Sequence, residues 1–295
     1  MKLRLQKMIA QAGLCSRREA ETWINAGRVV VNGQQAHIGQ VVDTLEDQIV
    51  VDGRLLLENR KRVYLLLNKP PGYTTSLKDR HAEHLVSDLI PSRFGRVFPV
   101  GRLDKDTSGL IIMTNDGLLA HHLMHPAYLV PKVYEAWVKG IPRHAHLSRL
   151  ERGIRLEDGD AHPGDMKILR VSNNNTLLRL TLTEGRKREV RRIFQAIGHP
   201  VIALKRVAFG SLTLEGLEEG RVRPLTHSEV KTLYGLVEKP LNQNSRNRRD
   251  DVSHEKTKST LTRRSQKRPS RTAISTSNAG NSVGHSRGNP GRNYR

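Results

Sequence analysis

Residues 1–61 carry two different spacings of apolar positions. In "LRLQKMIAQAGL", Leu5, Met8, Ile9 and Ala12 recur at steps of three and four, which predicts a helix stopped by Gly13. The next stretch repeats the pattern with Ala20, Trp23 and Ile24 on one face. Ser16 followed by Glu19 reads as a capping box at its start, and Gly27 closes it. "RVVVNGQQAHIG" then changes to strand character and turns at Asn32-Gly33, a pair suited to the positive φ angles of a two-residue hairpin. The predicted order is helix, helix, hairpin.

Residues 62–238 are dominated by strand signals, at 63–67, 110–114, 134–138, 167–171 and 177–182. Helical spacing occurs near 118–124, 144–152 and 188–197. Strands outnumber helices and do not alternate with them. This predicts an α+β fold, with a mostly antiparallel mixed sheet flanked by helices, and argues against a doubly wound sheet. Residues 239–295 differ again. They are rich in Ser, Asn, Thr and Arg, hold Tyr294 as their only aromatic, and carry 14 Lys/Arg against 3 Asp/Glu. Such a segment lacks the apolar surface to offset its ordering entropy, so a disordered basic tail is expected.

Charge narrows the partner. The 295-residue chain has a formal net charge of +21, of which the tail supplies +11. An excess of this size points to a polyanion, and a basic tail strengthens salt-sensitive, non-specific affinity for nucleic acid. A membrane partner is not expected. No run approaches the roughly 18 apolar residues of a spanning helix, and "MKLRLQKMIAQAG" is too polar for a secretory signal. The single cysteine, Cys15, excludes an internal disulfide and a cysteine-based zinc site. It reads as a small packed residue in a protein of the reducing cytoplasm. Lys2, Arg4, Lys7, Arg17, Arg18 and Arg28 cluster in the helical half of the first segment. They form either a solvated basic face or a surface that follows phosphates.

Two carboxylates, Asp104 and Asp106, form D-x-D, and His121 and His125 stand four apart on a predicted helix. Neither pair has further ligands at usable spacing, so no metal is expected. The chain has no G-x-G-x-x-G after a strand and no G-x-x-x-x-G-K-[ST], so no nucleotide cofactor is expected. This argues against a methyltransferase joined to an RNA-binding head.

Two stretches remain. "GRLDKDTSGL" lies between the apolar runs "RVFPV" and "LIIMT", where a turn is needed, yet a plain turn has little use for Arg-Leu-Asp. "LTLTEGRKREVRRIF" places Arg186, Lys187, Arg188, Arg191 and Arg192 at the entry to a helix whose apolar face is Val190, Ile193, Phe194 and Ile197. On a helical wheel Arg188 and Arg192 fall opposite that face, toward solvent or RNA phosphate. Arg191 falls on the flank. If it turns inward it needs a carboxylate, and Asp104 is the candidate. The alternative is a solvated basic helix with surface pairs such as Glu189 to Arg192.

These residues resemble a family. "LQKMIAQAGLCSRREAETWINAGRVVVNG" is similar to the S4 RNA-binding domain, whose helix pair presents basic residues to structured RNA. "LNKPPGY", "GRLDKDTSGLIIMTNDG", "MHPAYLVPKVYEAWV" and "LTEGRKREVRRIF" occur together and in order, as in the RsuA/RluB-type ribosomal RNA pseudouridine synthases, and most resemble the RluB branch. The resemblance implies an S4-like domain at 1–61, a pseudouridine synthase domain at 62–238 and the tail at 239–295. It implies that Asp104 is the catalytic aspartate, that Tyr134 stacks on the target base, and that Arg191 pairs with the aspartate. Asp106 matches no catalytic position. Lys7, Arg17, Arg18, Arg28, Arg186, Arg188 and Arg192 are then the expected RNA-binding set. The implied substrate is ribosomal RNA, most specifically large-subunit RNA, acted on by a monomer without metal or cofactor. An S4-headed RNA-binding or ribosome-assembly factor without catalysis is the alternative, against which the Asp104, Tyr134 and Arg191 set speaks.

The residue types suit that chemistry. Pseudouridine forms when the N1–C1′ bond of uridine breaks, the base turns, and C5 joins C1′. A glycosidase uses two carboxylates because one group leaves and water enters. Here nothing leaves, so one carboxylate suffices, either attacking C1′ or removing the 2′ proton.

Overall fold

The computed structural model describes residues 2–57 and 61–238. The tail expected at 239–295 lies outside the described residues. A short strand β1 (Lys2–Arg4) leads into α1 (Leu5–Gln11) and α2 (Arg17–Asn25). Then follow β2 (Val29–Val31), β3 (Gln34–Gln35), β4 (Val41–Asp43), β5 (Ile49–Val51) and β6 (Arg54–Leu55). One sheet runs β3-β2-β5-β6, and β1 pairs with β4. The Asn32-Gly33 turn takes φ 53° and 80°, as the hairpin reading requires, and Asp52-Gly53 makes a second one at 48° and 76°. The capping box is only half formed. The Ser16 hydroxyl accepts from the Glu19 N–H at 3.1 Å, with no reciprocal bond from Glu19 among the described residues. Leu5, Met8, Ile9, Ala20, Ile24, Val29 and Val51 close a small core around Cys15, whose thiol burial pushes up to about 11.

The second part begins with β7 (Tyr64–Lys69), β8 (Phe98–Val100), β9 (Thr107–Thr114) and α3 (Gly117–Met124). It continues through β10 (Lys132–Lys139), α4 (His144–Glu151), β11 (Ile154–Leu156), β12 (Gly159–Ala161), β13 (Gly164–Ser172) and β14 (Asn175–Leu182). It ends with α5 (Glu189–Ala196), β15 (Val201–Phe209), β16 (Leu212–Thr213), β17 (Val222–Pro224) and α6 (His227–Gly235). The central sheet runs β13-β14-β10-β15-β9-β7-β17, with β8 on β9 and β16 on β15. Only β15 and β9 are parallel, so the sheet is mixed and mostly antiparallel.

Both faces of this sheet are covered. Leu65, Leu67, Ile111 and Met113 join one core with Ile193 and Phe194 of α5, while Leu66, Leu110 and Ile112 join another with Leu119, Leu123 and Leu233. That is why β7 and β9 read as unbroken apolar runs. The parallel contact depends on Gly109. A Cβ there would lie 2.2 Å from the Arg206 carbonyl oxygen, and its φ of +109° is open only to glycine. Strand β15 and helix α6 were not anticipated by periodicity. In β15 the charged pair Lys205-Arg206 interrupts the apolar pattern at the middle of the sheet.

Candidate active site

The loop between β8 and β9 carries Asp104. It is pinned from below by the end of β7 and the segment that follows. Lys69 is fully buried, and its Nζ donates to the carbonyls of Pro70 at 2.9 Å, Lys105 at 3.2 Å and Thr107 at 2.8 Å. Burial pushes this amine down to about 8. The Gly72 N–H donates to Lys105 O at 2.7 Å, and Thr75 exchanges bonds with Leu103. Within the loop the Thr107 N–H closes a turn on Asp104 O at 3.1 Å. So "LNKPPGYTT" is a cradle whose donors satisfy the loop's carbonyls and fix where Asp104 points.

Asp104 and Tyr134 both line a cleft of about 760 Å³. Tyr134 projects from β10, directly across from Arg206 on β15 and Leu180 on β14. The cleft floor holds two cations that sequence reasoning missed. Lys132 donates from Nζ to Val130 O at 2.9 Å and Thr183 O at 3.3 Å, and burial pushes it down to about 8. Arg206 is 2 % exposed and donates from Nε to Leu110 O at 2.7 Å, with its guanidinium 5.1 Å from the centre of the Phe209 ring. Its Nη2 is buried with no hydrogen-bond partner. The sequence signal was faint, a basic residue at the start of β10 and another within β15, and the buried, unpaired Arg206 Nη2 leaves a donor for a polar ligand at the strand face.

The arginines depart from the helical-wheel expectation. Arg188 is not a helical residue but the N-cap of α5, in the left-handed region at φ 50° and ψ 33°. The wheel therefore does not apply to it. Its Nη1 turns toward the loop, 3.7 Å from both Asp104 Oδ2 and Asp106 Oδ1. Arg191 does turn inward, with its side chain only 12 % exposed. Its close partner, however, is Asp106: Nη2 lies 2.9 Å from Oδ2 and also donates to Asp106 O at 3.4 Å. Its Nη1 donates to Val201 O at 3.3 Å. Arg191 Nε, buried and without a hydrogen bond, lies 4.0 Å from Asp104 Oδ2. The arginine is thus anchored by Asp106 and two carbonyls with its Nε on the Asp104 side. Arg192 points outward, as the wheel requires, but its fork is occupied by Asp158 at 2.8 Å on both arms.

Others of the expected RNA-binding set are engaged as well. Arg186 pairs with Glu184 at 2.7 Å and donates to Asp160 O at 2.8 Å. Arg28 makes a bidentate pair with Asp52 at 2.8 and 2.5 Å and lies 4.6 Å over the Trp23 ring. The side chains of Lys7, Arg17 and Arg18 make no hydrogen bond or ion pair to any described residue. The structure thus brings Asp104, Tyr134, Arg188 and Arg186 to one cleft with Arg191 behind its loop. Lys7, Arg17, Arg18 and Arg28 stay on the first domain.

The profile of the RNA pseudouridylate synthase family matches residues 63–196, and that of the S4 domain matches residues 3–54. The chain is 47% identical over 237 residues to ribosomal large subunit pseudouridine synthase B of Bacillus subtilis, covering 80% of this chain and 97% of that one. The chain belongs to the RNA pseudouridine synthase family. A protein named as an uncharacterized RNA pseudouridine synthase from Aquifex aeolicus is 44% identical over 239 residues, covering 80% of this chain and 96% of that one. A solved pseudouridylate synthase structure matches with a TM-score of 0.56 at 31% identity, over 78% of this chain and 99% of that one. The synthase therefore combines an S4 domain with a catalytic sheet of the family's fold, and its enzyme class is RNA uridine isomerisation.

Proposed function

We propose that this synthase converts one uridine of large-subunit ribosomal RNA to pseudouridine, with Asp104 as the catalytic carboxylate. The observation that carries the reading is the Asp104 side chain, 31 % exposed at the mouth of a cleft that Tyr134 also lines. The similarity to the Bacillus subtilis large-subunit enzyme supports the choice of RNA.

The target uridine leaves its stack and enters the cleft, at a cost of a few kcal/mol that phosphate contacts offset. Tyr134 offers a flat face for the uracil. The unpartnered Arg206 Nη2 at the floor supplies a donor for a uracil carbonyl oxygen. Asp104 acts as nucleophile on C1′ while the N1–C1′ bond breaks and N1 keeps the bonding pair. The uracil then turns within the cleft. C5 bonds to C1′ as the carboxylate departs, the C5 proton is lost, and N1 takes up a proton, so the product is an isomer of the substrate. Ionised Asp104 is required, and Arg188 and Arg191 hold positive charge at 3.7 and 4.0 Å from it. The proposed enzyme acts as a monomer, in the cytoplasm where its ribosomal RNA substrate is made.

The test is pseudouridine mapping of large-subunit RNA after incubation with the purified protein and with its Asp104→Asn variant. One new pseudouridine with the first and none with the second is expected. A wild-type protein that modifies no large-subunit uridine overturns the reading.

A further inference from the structure

A second cleft, of about 320 Å³, lies at the seam between the S4 domain and the catalytic sheet. Lys7 and Arg17 line its S4 wall, Arg96 and His121 line the opposite wall, and Phe98 and Met124 contribute apolar surface. No carboxylate lines it. The side chains of Lys7, Arg17 and Arg96 form no hydrogen bond or ion pair with any described residue, and Lys7 and Arg96 are half-buried.

Several other arginines among the described residues are paired instead. Arg28, Arg186, Arg191, Arg192 and Arg223 each have a carboxylate oxygen within 2.9 Å. Half-buried cations that converge without a counter-ion repel one another and lose hydration, so the arrangement is favourable only when an anion arrives. The apolar surface beside them narrows the anion. An aromatic ring and a polarizable thioether beside a cluster of cations match a nucleotide, whose base stacks and whose phosphate takes the charge.

Position identifies which nucleotide. Met124 lines both this cleft and the active-site cleft. Its Sδ accepts from the Gly101 N–H at 2.9 Å, which ties it to the loop that carries Asp104. The two clefts therefore meet at one side chain, and a strand leaving the first crosses Met124 into the second. An acidic peptide would satisfy the charge but not this continuity.

Building on the RNA-substrate reading above, we propose that the seam holds one nucleotide flanking the target uridine, its base against Phe98 and Met124 and its phosphate on Lys7, Arg17 and Arg96. The seam then sets the register of the RNA, since the base in the active site must be a fixed step from the base in the seam.

The experiment uses the full chain and the large-subunit RNA domain in which wild-type protein forms its pseudouridine. That modification is scored first, so failure of the functional reading is seen before any variant is made. Lys7→Ala/Arg96→Ala should weaken binding of the naked RNA by about 10-fold or more at low salt and flatten the slope of log K against log salt by about two. Arg155→Ala/Arg221→Ala removes the same charge from exposed surface elsewhere and should bind like wild type. An abasic scan of the RNA should find one flanking position where loss of the base weakens wild-type binding. Phe98→Leu, which keeps the side chain apolar, should abolish that sensitivity. Equal effects of the two double variants, no effect of either, or an abasic scan flat at every flanking position would each overturn the proposal. Unaffected binding of naked RNA is also the outcome expected if an acidic protein segment occupies the seam.

Discussion

The arginines that frame the Asp104 loop and the cations that line the seam are handled in opposite ways. In and behind the active-site cleft Arg191 lies 2.9 Å from Asp106 and Arg186 lies 2.7 Å from Glu184, while in the seam Lys7, Arg17 and Arg96 face no carboxylate. A paired, half-buried arginine is part of the scaffold, because its fork fixes where the carboxylates and the backbone go. An unpaired one holds its charge for something that arrives later. The number of Lys and Arg in a sequence segment therefore overstates the charge available to RNA. Arg28, Arg186 and Arg192 were expected to contact RNA, and each is already bound to a carboxylate of its own domain.

The sharpest way to test this contrast is to break the scaffold side and read catalysis apart from binding. Asp104→Asn should lower single-turnover pseudouridine formation by at least ~10³-fold while RNA affinity stays near wild type, since the amide keeps the shape and loses the nucleophile. A variant that turns over normally would remove Asp104 from the mechanism. Next in size is Arg191→Ala. It leaves two carboxylates on one loop without their inner cation, which should cost turnover about 100-fold, or ~3 kcal/mol. Asp106→Ala should follow at about 10-fold, the lower end for a charged hydrogen bond, because Arg191 keeps its two carbonyl partners. The double variant should be far less than additive with Arg191→Ala, because Asp106 acts through that arginine. Additive effects in the cycle would separate Asp106 from Arg191 and undo the anchoring argument. Smallest of all should be Arg192→Ala. Its pair with Asp158 is partly exposed and away from the loop, so thermal unfolding should register less than ~1 kcal/mol and turnover should not change. If Arg192→Ala weakened RNA binding as much as the seam variants do, pairing would not be a guide to which arginines meet RNA.

Much of the frame was legible from local pattern. The helix pair, the Asn32-Gly33 turn and the apolar runs of β7 and β9 follow from propensity and spacing over a few residues. The loop carrying Asp104 stood out because its composition exceeded what a turn needs. The arginines were harder. The helical wheel placed Arg191 and Arg192 on the correct sides of α5 but failed for Arg188, because a left-handed N-cap lies outside the wheel. Arg206 and Lys132 were passed over because a charge inside a strand signals its burial only once the strand's neighbours are known. Arg96 carried no local signal at all.

By itself the sequence determined many of the elements, though not β15 or α6, together with the α+β class, the basic character and the loop on which chemistry is expected. Those depend on backbone preferences and hydrophobic periods that act within about ten residues. Tertiary structure alone decided that Asp106 holds Arg191, that Lys69 sits under the Asp104 loop, and that Lys7 and Arg96 share a seam. Each joins residues far apart in the chain, through the sheet, the packing of α5 and the docking of two domains. Which charge meets which is settled by where burial brings them, and a single side chain's type carries no record of its partner.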